Sequence, residues 1–171
     1  METKLKNIKV GIVGSGKFAD FHCRYWSNYK KTKVIGFYST RDITFRNLYK
    51  FNSLDELFSE CEIIDIVSNN LKNYEALIKS FKYEKKTIFV EKPFCTSLEQ
   101  LINIEKNIIS TNNIYHTSFF YKKFDTFNKF LLNKEEKNIN NIYIQGSYKR
   151  DLFYYKKNKS WRLNKNHRIE T

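Results

Sequence analysis

Ile8-Lys9-Val10-Gly11-Ile12-Val13-Gly14-Ser15-Gly16-Lys17-Phe18-Ala19 is the stretch whose reading decides the fold. Ile8–Val13, apolar and rich in β-branched residues, reads as a strand, and Gly14 to Gly16 turn the chain. Lys17–Tyr29 follows with Phe18, Phe21, His22, Tyr25 and Trp26 at helical spacing. A strand that passes through a glycine turn directly into a helix leaves the helix N-terminus, with its unsatisfied N–H groups, at the carboxyl end of the strand. In such a turn Gly14 permits the tight bend, Gly16 lets backbone approach a diphosphate, and the small Ala19 keeps helix and strand close. A bare G-x-G-x-x-A is weak evidence, and the flanking strand and helix give it meaning. The ligand it implies is a nicotinamide dinucleotide.

Outward from this stretch, short apolar runs alternate with amphipathic ones, the pattern of βα units that build a parallel sheet. Val34–Tyr38 reads as the second strand, and residues 43–60 as a short helix, a loop, and a helix capped by Ser53 with Glu56 three positions on. Ile63–Val67 reads as the next strand, followed by a helix through Tyr74, Leu77, Ile78 and Phe81. Thr87–Val90 is then a strand that ends at the only proline, Pro93, whose ring biases Lys92 towards an extended conformation. Ser97 with Gln100 opens a helix to about Ser110, Ile114–Phe120 reads as a strand and Phe124–Leu132 as a helix. The expected fold class is therefore α/β, a Rossmann-type doubly wound parallel sheet over residues 1–121. Residues 122–171 read as a connecting helix, the first strand (Ile142–Tyr148) and the tail of an incomplete second α/β domain. That strand with a basic tail cannot bury a core alone, so Ile142, Ile144 and Phe153 predict marginal solubility or self-association, including a homo-oligomer.

Two further strand ends carry chemistry. At the end of the second strand, where an acid would accept hydrogen bonds from a ribose 2′-hydroxyl, the chain places Ser39-Thr40-Arg41. Two hydroxyls and a guanidinium suit a 2′-phosphate, which favours NADP over NAD. Arg41 as a solvated helix-start residue beside an NAD site is the competing reading. Glu91-Lys92-Pro93 closes a later strand at the edge where open parallel sheets bind ligands. A partly desolvated ammonium beside an acid there could polarise a substrate hydroxyl or carbonyl, although by itself the pair also reads as an ordinary surface Glu-Lys.

Taken together, Gly14–Ala19, Asp65-Ile66-Val67-Ser68-Asn69-Asn70 and Phe89-Val90-Glu91-Lys92-Pro93 resemble the glucose-fructose oxidoreductase/inositol dehydrogenase family, Gfo/Idh/MocA. Phe120-Tyr121-Lys122-Lys123-Phe124-Asp125 and Trp161-Arg162 extend the resemblance along the chain, with Lys123 where the family usually has Arg. The resemblance implies oxidation or reduction at a sugar, polyol or nucleotide-sugar hydroxyl or carbonyl. It implies Lys92 as the catalytic lysine, and Gly14, Ser15, Gly16, Lys17, Phe18, Ser39, Thr40, Arg41, Ser68, Asn69, Asn70, Asn73, Glu91 and Lys92 as cofactor contacts. Lys123, Trp161 and Arg162 are implied as substrate contacts. Asn69 stands where the family usually has Pro, and Asn73 where it commonly has His. The family also continues into a helix bearing an Asp and an acid/base His, and Thr171 precedes that helix. His22 has a packing role in this pattern, His116 reads as a packed strand residue and His167 as a solvated one. A truncated, inactive nucleotide-binding remnant is therefore the alternative to a working oxidoreductase.

Composition bounds the remaining classes. The formal charge of +13 invites a polyanion reading, but residues 122–171 hold 13 of the 31 basic residues and only five of the 18 acids, so the excess sits mostly in the tail. It reads as a solvated lysine-rich surface, and no RNP, zinc or helix-turn-helix signature accompanies it. Polyanion binding through that tail is the minor alternative, and neither a nucleic-acid nor a membrane partner is expected. Cys23, Cys61 and Cys95 are far apart, without CxxC or metal spacing, so neither a disulfide framework nor a metal is expected. The N-terminus carries no apolar signal segment, and a reducing cytoplasm fits these features.

Overall fold

A computed structural model describes residues 7–117. The expected helix at 124–132, the strand at 142–148, the second domain, His167, and Lys123, Trp161 and Arg162 lie outside the described residues. Six strands form one sheet: β1 (Ile8–Val13), β2 (Thr32–Tyr38), β3 (Tyr49–Lys50), β4 (Ile63–Ile66), β5 (Thr87–Val90) and β6 (Ile114–Thr117). The order is β3-β2-β1-β4-β5-β6 and every pairing is parallel. The connections are α1 (Lys17–Asn28), α2 (Leu54–Glu60), α3 (Asn70–Ser80) and α4 (Leu98–Ile108). The strand order reverses between β1 and β4, the switch point at which doubly wound sheets open a crevice beyond their carboxyl ends.

Central parallel strands are buried on both faces and so read as unbroken apolar runs. Alternate residues of each strand serve opposite layers. Val10, Ile12, Phe37, Ile63 and Val67 pack with Ala19 and Cys23 on the α1 side. Ile64, Ile66, Ile88 and Val90 pack with Leu57, Phe58, Ala76, Leu77 and Ile104 on the side of α2, α3 and α4. The close approach of α2 to β1 depends on Gly11, where a Cβ would lie 2.7 Å from Cys61 Sγ and 2.9 Å from Leu57.

The helices start where their caps predict. Ser53 Oγ accepts from Glu56 N at 3.1 Å while Glu56 Oε2 accepts from Asn52 N at 2.8 Å. Ser97 Oγ accepts from Gln100 N at 3.3 Å while Gln100 Oε1 accepts from Thr96 N at 2.8 Å. One expected element is corrected: no helix forms at the start of 43–60. Arg46 and Asn47 adopt left-handed φ values of 50° and 54°, which no α-helix tolerates in sequence. Phe45 instead plugs into the α1-side core against Phe37, ring centroids 5.2 Å apart, and the chain then adds the two-residue strand β3 to the sheet edge. Burial of one aromatic ring outweighs the local helix preference of its neighbours.

Candidate functional site

The loop after β1 is built by its glycines. Gly14 has φ +139°, and a Cβ there would stand 2.3 Å from the carbonyl oxygen of Val67. Only glycine fits both the conformation and the approach of β4's end. Its N–H donates to Tyr38 O at 2.9 Å, tying the turn to the end of β2 as well. Gly16 differs. It is the N-cap of α1 without a side-chain capping bond, and a Cβ there would meet no atom within 4 Å. The first turn of α1 therefore points uncapped N–H groups, flanked by exposed Lys17 and Phe18, over open space. Asp20, an acid in that turn, is paired with Arg46 at 2.7 Å and Arg24 at 2.8 Å. The hydrogen bond from Arg46 heads the interactions that hold its carboxyl below the usual range.

Ser15, Ser39 and Arg41 come together beside this loop. Ser15 Oγ lies 2.8 Å from Ser39 Oγ, Arg41 Nη2 donates to Ser15 Oγ at 2.8 Å, and Arg41 N donates to Ser39 Oγ at 3.2 Å. Exposed Thr40 lies between them in sequence. Asp42, the one acid nearby in sequence, turns to Lys50 at 3.2 Å. The cluster thus presents hydroxyls and a guanidinium, and no carboxylate from this segment enters it.

The ends of β4 and β5 are tied by Asn73 of α3, which is 1% exposed. Its Oδ1 accepts from Ser68 N at 2.8 Å, and its Nδ2 donates to Glu91 O at 3.1 Å and Pro93 O at 3.5 Å. Asn69 Oδ1 caps α3 by accepting from Lys72 N at 3.0 Å, and Asn70 is buried. The Lys92-Pro93 bond is cis, and Lys92 itself is exposed. Asn70, Asn73 and Glu91 are thus the frame of the crevice, and Gly16, Lys17, Ser39, Thr40, Arg41, Ser68 and Lys92 are the more open positions around it.

Glu91 does not pair with Lys92. Its carboxylate is buried and faces His22 of α1, with Nε2 3.8 Å from Oε1. The other ring nitrogen, Nδ1, lies 2.9 Å from Asp65 Oδ2, an atom that also accepts from Trp26 Nε1 at 2.6 Å. Burial alone would lower the His22 pKa, but the Asp65 hydrogen bond and the charges of Asp65 and Glu91 together outweigh it, and the net shift is upward. The sequence assigns His22 a packing role and Trp26 a place on the helix face, whereas the structure gives both a polar partner in Asp65. The available signal was Asp65 itself: a carboxylate within the apolar run Ile63–Val67 is buried and must find a donor. His116, expected to be packed, is exposed on the edge strand β6, although its ring stacks on Phe89 with centroids 4.8 Å apart. Among the described residues no cluster of His, Cys, Asp and Glu is arranged to hold a metal ion, and no helix is long and apolar enough to cross a membrane.

Comparison with known proteins agrees with this geometry. The family model for GFO_IDH_MocA, an oxidoreductase family with an NAD-binding Rossmann fold, matches residues 8–119. No curated protein sequence matches the chain. Among solved structures it is similar to myo-inositol 2-dehydrogenase from Lactobacillus plantarum, with TM-score 0.65 and 18% identity over 80% of this chain and 43% of that one. It is also similar to myo-inositol dehydrogenase from Lactobacillus casei, solved with NAD(H) and myo-inositol, with TM-score 0.63 and 20% identity over 78% of this chain and 42% of that one. UDP-N-acetylglucosamine 3-dehydrogenase from Acidithiobacillus ferrooxidans matches with TM-score 0.64 and 14% identity over 74% and 43%. At such identities the likeness is one of fold, and the chain spans about two-fifths of the length of these structures. The strand order, the glycine turn and the family match over most of the chain lead to one assignment: this chain belongs to the Gfo/Idh/MocA oxidoreductase family.

Proposed function

We propose that the chain is the dinucleotide-binding part of an oxidoreductase that uses NADP to oxidise or reduce a hydroxyl or carbonyl of a sugar, polyol or nucleotide-sugar. The observation that carries the cofactor preference is the Ser15–Ser39–Arg41 cluster, which links the phosphate loop to the end of β2. A 2′-phosphate there would meet a fixed guanidinium and hydroxyl donors, with Asp42 directed elsewhere. Gly16 fits the same group: an open cradle above an uncapped helix start is what a diphosphate requires. When bound, the dinucleotide supplies the nicotinamide ring that exchanges hydride with substrate.

The chain's own residues have three tasks in this reading. Gly14, Ser15, Gly16, Lys17 and Phe18 hold the diphosphate, and Ser39, Thr40 and Arg41 hold the 2′-phosphate. Ser68, Asn69, Asn70, Asn73 and Glu91 shape the wall beside the ring, the last three from buried positions. Lys92, exposed at the carboxyl end of β5, polarises the substrate oxygen and stabilises negative charge that develops there. Lys123, Trp161 and Arg162, which the family resemblance implies as substrate contacts, lie outside the described residues.

Titration of the chain with NADPH and NADH, followed by nicotinamide fluorescence, tests this reading. NADPH is expected to bind more tightly. Arg41→Ala should weaken NADPH by about tenfold or more, the size of a lost charge-assisted contact, and leave NADH nearly unchanged. Tighter NADH binding, or unchanged NADPH affinity in the variant, contradicts the 2′-phosphate site.

A further inference from the structure

His22 joins three elements: it projects from α1, hydrogen-bonds Asp65 in β4 and faces Glu91 at the end of β5. Its ring is the charge partner common to two carboxylates whose side chains are 2% and 9% exposed. Among the described residues no lysine or arginine is paired with either acid. Arg24 and Arg46, the guanidinium groups nearest on α1 and on the 43–48 loop, are paired with Asp20. From β1 and β2 the α1 side receives the apolar Val10, Ile12, Val34 and Phe37, together with Thr32, whose hydroxyl donates to Trp26 O at 2.7 Å. From β5 and β6 it receives Phe89, in contact with Trp26 at 5.1 Å, and His116 stacked behind it. Asp65 Oδ2 accepts from both His22 and Trp26, while Oδ1 has no hydrogen-bond partner among the described residues. A ring that carries a proton on each nitrogen can face both buried carboxylates at once, which a neutral ring cannot do.

We infer that His22 is a positioning residue: as an imidazolium bridging Asp65 and Glu91, it fixes the Glu91-Lys92-Pro93 turn against α1 and makes dinucleotide binding depend on its protonation. The coupling is short. Glu91 is adjacent to Lys92, its carbonyl and that of Pro93 are held by Asn73, and Asn73 also holds Ser68. On loss of the Nε2 proton the Glu91 carboxylate faces a ring lone pair in a buried site, which drives the two groups apart and alters the turn that carries Lys92. The binding consequence rests on the dinucleotide reading above, whereas the motion of the turn does not.

The test uses the full chain with labelled histidine rings and backbone amides, first without ligand and then with NADPH, from about pH 5.5 to pH 9.5. The His22 ring is expected to titrate above the ordinary histidine value of 6.5. The Glu91 and Lys92 amide resonances should move with the same midpoint, and NADPH affinity should fall about tenfold across it, the equivalent of one pKa unit of linkage. Glu91→Gln should lower the ring's midpoint. His22→Gln should flatten both the amide titration and the affinity profile. A ring that titrates below 6.5, or amides at 91 and 92 that ignore it, overturns the positioning role. An NADPH affinity that stays constant while the amides titrate overturns the link to binding. If NADPH does not bind at any pH, the dinucleotide reading fails, and the ring and amide titrations still decide the role of His22.

Discussion

Gly14 and Gly16 are two residues apart and answer to opposite constraints. Gly14 is filled space: its left-handed φ and the carbonyl of Val67 at 2.3 Å from a would-be Cβ exclude any side chain. Gly14→Ala should therefore destabilise the fold by about 2 kcal/mol or more, combining backbone strain with displacement of β4's end, as read from the urea midpoint. Gly16 is empty space at φ −87°, which alanine adopts freely. Gly16→Ala should leave stability within about 0.5 kcal/mol of the parent. It should nonetheless cost dinucleotide affinity about tenfold, because the new methyl occupies the diphosphate's approach. Equal stability and equal affinity in Gly16→Ala would mean the cradle is not used. Both glycines were legible in the sequence from their place between a strand and a helix. So was the division of tasks between them, tight turn and open approach; the Val67 carbonyl that closes the space beside Gly14 was not.

Among the elements, the strand ends that form the crevice are held by side chains from helices. Asn73 of α3 is the clearest case, with one amide bonded to the loops after β4 and β5. Asn73→Ala should lower stability by about 1–3 kcal/mol, leaving Ser68 N–H and the Glu91 carbonyl without this partner. Substituting Asp should preserve the bond from Ser68 but not those to the carbonyls. The α1 tie is pH-dependent. His22 has its pKa raised on folding, so its contribution to stability is complete below the unfolded value of 6.5 and is lost as pH rises through the folded value. Urea midpoints at pH 6 and pH 9 should therefore differ more in the parent than in His22→Gln.

Periodicity and capping residues located β1, β5, α2 and α4 closely, because each is long or explicitly punctuated. Residues 43–50 were misjudged because a buried Phe45 and a two-residue edge strand leave no periodic signal. The end-of-β2 cluster was legible as residue types, Ser and Arg without an acid. Its geometry, with Arg41 folded back on Ser15, depends on a contact across 26 positions that no local pattern encodes.

Over the whole molecule, the sheet order places the glycine turn, the Ser39–Arg41 segment, Ser68 and Lys92 at the carboxyl edge of one parallel sheet. That convergence supports the proposal that one ligand touches residues spread from 14 to 92. Charge tells a second story at this scale. The net charge is +13, yet the described lysines and arginines include many held by acids: Lys9 by Glu60, Lys50 by Asp42, Lys72 by Glu75 and Lys79 by Asp55. Such exposed pairs add little stability, but among the described residues they interrupt the basic surface. Binding to duplex DNA at physiological salt should accordingly be no tighter than the micromolar, non-specific range. Nanomolar affinity with a steep salt dependence would favour a polyanion-binding role instead.

The central claim concerns where one ligand lies, and a crystal structure of the chain with NADPH tests it most directly. The account predicts the diphosphate over Gly16 at the start of α1 and the 2′-phosphate against Arg41, Ser15 and Ser39. A diphosphate away from that helix start, or a 2′-phosphate turned away from Arg41, would contradict it.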